Sequence, residues 1–108
     1  MIRRAFLALS LVALCAPAFA GDLEVGGKPL FCDSSSDFLA RPVDISKYAL
    51  FYAGAQKNVG PSGLAVVIIR DDMLAKVPAG LPSLLDYKVM VENDSLYNTP
   101  PCFGIYMV

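Results

Sequence analysis

Residues 64–70 read LAVVIIR, the most strongly β-forming run in the chain. Both faces are apolar from Leu64 to Ile69, a pattern that predicts a central strand covered on its two sides. Such a strand needs neighbours, so the flanking segments are read for partners. NVGPSG, 58–63, is a turn on composition. Upstream of it, DISKYALFYAGAQK, 44–57, fits two periods. Ile45, Tyr48, Ala49 and Tyr52 form a helical stripe begun by Asp44 as N-cap, whereas Tyr48, Leu50 and Tyr52 form one face of a strand. The alanines and the cap tip the reading toward helix.

Downstream, Asp71-Asp72 can cap a short helix through Val77, which Pro78 stops. AGLPSLL, 79–85, is an irregular connection. In DYKVMVE, 86–92, Tyr87, Val89 and Val91 alternate with Asp86, Lys88 and Glu92, which predicts a half-exposed antiparallel strand. After the polar loop 93–101, Phe103, Ile105 and Met107 alternate with Gly104, Tyr106 and Val108 as a closing strand. On the N-terminal side, Gly26-Gly27 between Leu23–Val25 and Leu30–Phe31 predicts a tight hairpin, with Pro29 placing its second arm at a sheet edge. DSSSDFLARP, 33–42, reads as a loop or one helical turn.

Residues 1–20 read as a leader. Arg3 and Arg4 precede an apolar run from Ala5 to Ala16, and Ala18-Phe19-Ala20 has the small-x-small form of a signal-peptidase site. The expected mature start is Gly21. Cys15 raises lipidation as a rival, against which Leu14 argues, because the residue before a lipidated cysteine is ordinarily small. The run is shorter than the ~20 apolar residues of a membrane span, so export without anchoring is expected, to the periplasm or beyond. Residues 21–108 then form one domain. Removing Arg3 and Arg4 leaves seven basic against ten acidic residues, a net charge of −3, which offers no footprint for nucleic acid.

Cys32 and Cys102 remain after the leader. In an exported chain such a pair predicts a disulfide, closing a loop of about 70 residues and contributing roughly 4 kcal/mol in the chain-entropy model. The expected fold is therefore α+β. It has a small antiparallel sheet of four or five short strands, one or two short helices and a Cys32–Cys102 clamp. A mainly-β sandwich or barrel is the alternative.

The chain has no histidine. That removes Ser-His-Asp and Cys-His nucleophilic machinery and His-ligated metal sites. Carboxylates are plentiful: Asp33, Asp37, Asp44, Asp71, Asp72, Asp86, Glu92 and Asp94. Yet no Asp-x-Asp-x-Asp-Gly calcium loop is present, and adjacent aspartates usually cap helices. In CDSSSD, 32–37, a serine nucleophile with Lys28 or Lys47 as base competes with simple turn chemistry. GAQKNVGPSG, 54–63, is glycine-rich but lacks the Gly-Lys-Ser/Thr ending of a phosphate loop. Asn93-Asp94-Ser95 matches a glycosylation acceptor, relevant only in a eukaryote.

With catalytic chemistry thinned out in this way, the tyrosines carry the functional expectation. Tyr97, Tyr52 and Tyr106 are the candidate partner contacts, being rigid surfaces with a polar tip. The expectation is an exported, non-enzymatic protein-binding module of inhibitor or immunity type. It uses no cofactor or metal, and its partner is another envelope or secreted protein. An envelope structural or assembly component is the first alternative, and a small carboxylate-dependent hydrolase the second.

Overall fold

The structure, a computed structural model, describes residues 25–108. The leader at 1–20, the start at Gly21, the lipidation rival at Cys15 and Leu23 of the expected hairpin lie outside the described residues. Among those described, three strands form one sheet: β1 Phe31–Asp33, β2 Leu50–Gly54 and β3 Ala65–Ile69, in the order β1-β2-β3. Three short helices come after the sheet: α1 Asp71–Ala75, α2 Tyr87–Glu92 and α3 Cys102–Met107.

The sheet is mixed. β1 runs parallel to β2, with Phe31 opposite Leu50, Cys32 opposite Phe51 and Asp33 opposite Tyr52. β2 and β3 are antiparallel, pairing Leu50 with Ile69 and Gly54 with Ala65. The parallel pair requires a crossover, and residues 34–49 supply it. Within that crossover, Ile45–Lys47 forms a single 3-10 turn, whose N-cap Asp44 accepts from the Ser46 N–H at 3.1 Å. The stretch 44–57 thus divides: its capped start is helical for one turn, and its second half is the middle strand.

This corrects the expected four- or five-stranded antiparallel sheet, and with it the mainly-β alternative. LAVVIIR is a strand but lies at the sheet edge, and β2 takes the centre. DYKVMVE is helix. Asp86 caps it by accepting from the Lys88 N–H at 2.8 Å, and Tyr87 and Met90 turn inward three residues apart. The closing segment is also helical, beginning directly after Pro100-Pro101. The helix expected from Asp71 to Val77 is present as α1 but ends at Ala75, and its N-cap is Arg70 without a side-chain capping bond, so neither aspartate caps it. Gly26 and Gly27 do form a tight turn, with φ of +58° and +75° and the Lys28 N–H donating to the Val25 carbonyl at 3.1 Å. Among the described residues, the strand beyond that turn, β1, pairs in parallel with β2.

The disulfide does not form. Cys32 and Cys102 are not bonded to each other: Cys32 is buried and Cys102 is exposed at the start of α3. Alternation along the strands explains Cys32. It shares a face with Phe51 and Ile68, in a cluster with Leu30, Tyr48 and Phe38. The Phe51 ring packs edge-on to Tyr48 at 5.1 Å and tilted to Phe38 at 6.1 Å. The opposite face carries Leu50, Val67 and Ile69, covered by Val77 and Tyr87 with Met73, Leu74 and Val91 around them. Two small apolar layers sandwich the sheet, and hydrophobic burial holds the fold without a covalent clamp.

Candidate active site

Because β1 and β2 are parallel, their carboxyl ends lie on the same side of the sheet, where open α/β sheets place their ligands. The loops leaving those two ends are tied together at three points. The Ser34 N–H donates to the Tyr52 carbonyl at 2.8 Å. The Gly54 N–H donates to Ser35 Oγ at 2.8 Å. Asn58 Nδ2 donates to the Phe38 carbonyl at 2.8 Å. The serines of CDSSSD therefore act as turn and cross-strand hydrogen-bonding groups, with Ser34 also donating to Asp37 Oδ1 at 3.0 Å.

Asp33, the last residue of β1, occupies this edge. Its Oδ1 accepts from the Ser35 N–H at 2.9 Å and from the Ser35 hydroxyl at 2.5 Å. Partial burial works against its ionisation, but the two Ser35 donors, the Tyr52 hydroxyl and the charge of Lys57 outweigh it. The carboxyl is held below its ordinary value of 3.8. The same pairing acts in reverse on Tyr52: desolvation, the Asp33 charge and the hydrogen bond to Asp33 raise its phenol above 10.0. At neutral pH, Asp33 is an anion with acceptor capacity only.

Lys57 lies in the turn after β2, exposed and within electrostatic reach of Asp33. The turn is shaped by the Ala55 carbonyl, which accepts from the N–H groups of Val59 at 3.0 Å and Gly60 at 2.9 Å. The other described lysines are placed elsewhere. Lys88 Nζ donates to the Val77 carbonyl at 2.8 Å. Lys76 Nζ lies 3.5 Å from Asp72 on α1. Lys47 acts on Asp44 at the 3-10 turn, and Lys28 belongs to the Gly-Gly turn. The edge thus offers an exposed primary amine, the nucleophile that condenses with carbonyls, together with a fixed carboxylate.

Of the expected site residues, Tyr52 belongs to this edge, as a hydrogen-bond partner of Asp33. Tyr97 and Tyr106 are 46% and 86% exposed on the C-terminal segment. That segment meets the body of the fold where Gly104 packs beside Leu64 and Pro61. Lys28 and Lys47, weighed as bases for a serine, are not the lysine brought to the edge. An apolar cleft of about 90 Å³, lined by Phe31, Leu50, Ile69, Val77 and Tyr87 among others, lies toward the opposite strand ends. The amine and the carboxylate were both visible as residue types. Their juxtaposition depends on a parallel pairing across a 16-residue crossover, which no local pattern announces.

Residues 23–108 match the aminotransferase class-V family model, and the chain belongs to that family. It is 58% identical over 85 residues to the phosphoserine aminotransferase of Desulfatibacillum aliphaticivorans, a match covering 79% of this chain and 24% of that relative. The solved phosphoserine aminotransferase of Bacillus circulans subsp. alkalophilus superposes with a TM-score of 0.72 at 58% identity, over 77% of this chain and 23% of that one. The PLP-bound phosphoserine aminotransferase of Trichomonas vaginalis gives a TM-score of 0.69 at 47% identity, over 75% and 23%. The chain spans about a quarter of the length of the relatives it matches.

These matches overturn the functional expectation. The family is one of transferase enzymes, so the non-enzymatic binding module of inhibitor or immunity type is wrong. The envelope structural or assembly component, the carboxylate-dependent hydrolase and the envelope-protein partner fall with it. The absence of histidine excluded the acid–base machineries that use it, but amine chemistry on a cofactor does not require that residue.

Proposed function

We propose that this segment carries the lysine and the aspartate of a PLP site serving amino-group transfer to or from phosphoserine. The observation that supports it is the placement of Lys57 and an ionised Asp33 at the carboxyl edge of the parallel strand pair in a class-V chain. PLP-dependent sites use a lysine amine to hold the cofactor and an acidic residue against its pyridinium nitrogen, and the bound cofactor supplies an electron sink. The residues here fit that demand. Lys57 offers an exposed amine in a loop pinned by Asn58, and Asp33 offers an anion whose lone pairs can face a cationic ring nitrogen. Tyr52 and Ser35 keep Asp33 ionised, and the turn 55–60 keeps the amine near it.

The test is reductive trapping. The full-length chain is incubated with PLP, reduced with borohydride and mapped by mass spectrometry. A pyridoxyl group on Lys57, lost in Lys57→Ala and weakened in Asp33→Asn, is the expected result. Labelling spread over Lys28, Lys47 and Lys76 with no preference for Lys57 would overturn the assignment.

A further inference from the structure

We propose that Ser35 is a positioning residue for this site: its hydroxyl links the Asp33 carboxylate to the backbone of Gly54, setting the carboxylate in register with the loop that bears Lys57. The proposal rests on the assignment of Asp33 and Lys57 to the cofactor site. A serine hydroxyl has one hydrogen to give and lone pairs to receive. Here the hydrogen goes to Asp33 Oδ1 at 2.5 Å, and a lone pair takes the Gly54 N–H at 2.8 Å. The first distance is typical of a hydroxyl donating to an ionised oxygen, which is the stronger kind of hydrogen bond. Ser35 is only 8% exposed, so water competes poorly for either bond.

The connection spans 19 residues of sequence. Asp33 ends β1, while Gly54 ends β2 three residues before Lys57, so a single side chain joins the termini of two strands. The Ser35 N–H donates to the same Oδ1 at 2.9 Å, so two donors from one residue converge on a single carboxylate oxygen. Loss of the hydroxyl leaves the Gly54 N–H without this acceptor and frees the carboxylate to turn about its remaining donors. Ser34 provides the internal contrast. It is more deeply buried, at 2% exposure, but its hydroxyl donates to Asp37.

The test is a ¹³C carboxyl NMR titration of Asp33 in the full-length chain, with the resonance assigned by Asp33→Asn. The other titratable groups acting on Asp33 are Tyr52 and Lys57, with Cys32 acting on Tyr52 and Tyr52 in turn on Tyr87; tyrosine, cysteine and lysine side chains as types ionise far above the acid range of carboxylates. Ser35→Ala is expected to raise the Asp33 midpoint by about one pH unit, the order expected for losing a hydrogen bond to the charged form. Ser35→Thr, which keeps the hydroxyl, is expected to restore it, and Ser34→Ala to leave it in place. If Ser35→Ala does not fold, Ser35→Cys, with its weaker donor, is read instead and should give a smaller rise. An unmoved midpoint in the Ser35 variants, or an equal rise in Ser34→Ala, overturns the proposal. Borohydride trapping on the same samples keeps the two readings apart. Trapping away from Lys57 with a shifted Asp33 midpoint defeats the cofactor assignment and leaves Ser35 as the determinant of Asp33.

Discussion

Asn58 Nδ2 reaches the carbonyl of Phe38 at 2.8 Å, across 20 residues of sequence, and so fastens the Lys57 turn to the loop that leaves Asp33. A side-chain amide bonded to a backbone carbonyl is worth about 1 kcal/mol net. Asn58→Ala should therefore lower stability by roughly that amount in urea unfolding, and should slow pyridoxyl trapping on Lys57 more than the stability loss alone explains. Trapping at the unaltered rate would show that the loop holds its amine without this bond.

Tyr52 offers a test of the acid side. Asp33 titrates below 3.8 in the folded chain, so its ionised form favours folding. That contribution is fully present above 3.8 and is lost as pH falls through the lower folded value. Tyr52→Phe removes one donor, brings the folded value back toward 3.8 and shrinks the contribution. The acid-unfolding midpoint, followed by far-UV circular dichroism, should then move to higher pH. An unchanged midpoint would mean that the Tyr52 hydroxyl does little for Asp33.

Tyr87 governs the alkaline side. It is 2% exposed, and burial first, with the nearby Tyr52 second, raises its phenol well above 10.0. The unfolded chain ionises this group near 10.0 while the folded chain does not, so stability is present below that pH and declines as pH rises toward the folded value. Tyr87→Phe removes the ionisable group. Its stability, measured relative to its own value at pH 8, should fall less steeply above pH 10 than that of the parent chain. Parallel curves would place the alkaline loss elsewhere.

The thiols are distinguishable by access. Native alkylation with iodoacetamide, without reductant, should modify Cys102 and spare Cys32, which reacts only after denaturation. Protection of both until a reductant is added would restore the disulfide that the structure lacks.

Phe51 is 3% exposed between Tyr48 and Phe38. Phe51→Ala should cost about 3–5 kcal/mol, the range for deleting a buried aromatic ring. A loss that large threatens a domain held by two small apolar layers, and chemical denaturation would measure it. A cost below about 1 kcal/mol would mean that the layer collapses to fill the space.

Several elements were legible locally. Asp44 as a cap, the strand at 65–69, the helix from Asp71 and the Gly26-Gly27 turn each arise from residues within a few positions of one another. The failures also have local causes. In 86–92, Tyr87, Val89 and Val91 satisfy a period of two, while Tyr87, Met90 and Val91 satisfy a helical period. Seven residues are too few to separate them. The Asp86 cap and the burial of Tyr87 beneath β3 made the choice. The segment 102–108 posed the same ambiguity, and it forms a helix in which only Gly104 is buried.

The amino-acid order alone determined which residue types were at hand: no histidine, a lysine in a glycine-bounded turn, an aspartate closing a short apolar strand. It also determined the turns, because a capping side chain or a glycine at positive φ acts only on its immediate neighbours. Tertiary structure decided which strand lies in the middle, that β1 and β2 run in the same direction, and hence that Asp33 and Lys57 share an edge. Those outcomes belong to contacts between residues 20 or so positions apart, whose free energy comes from burying two apolar layers together and is written in no short stretch of the chain.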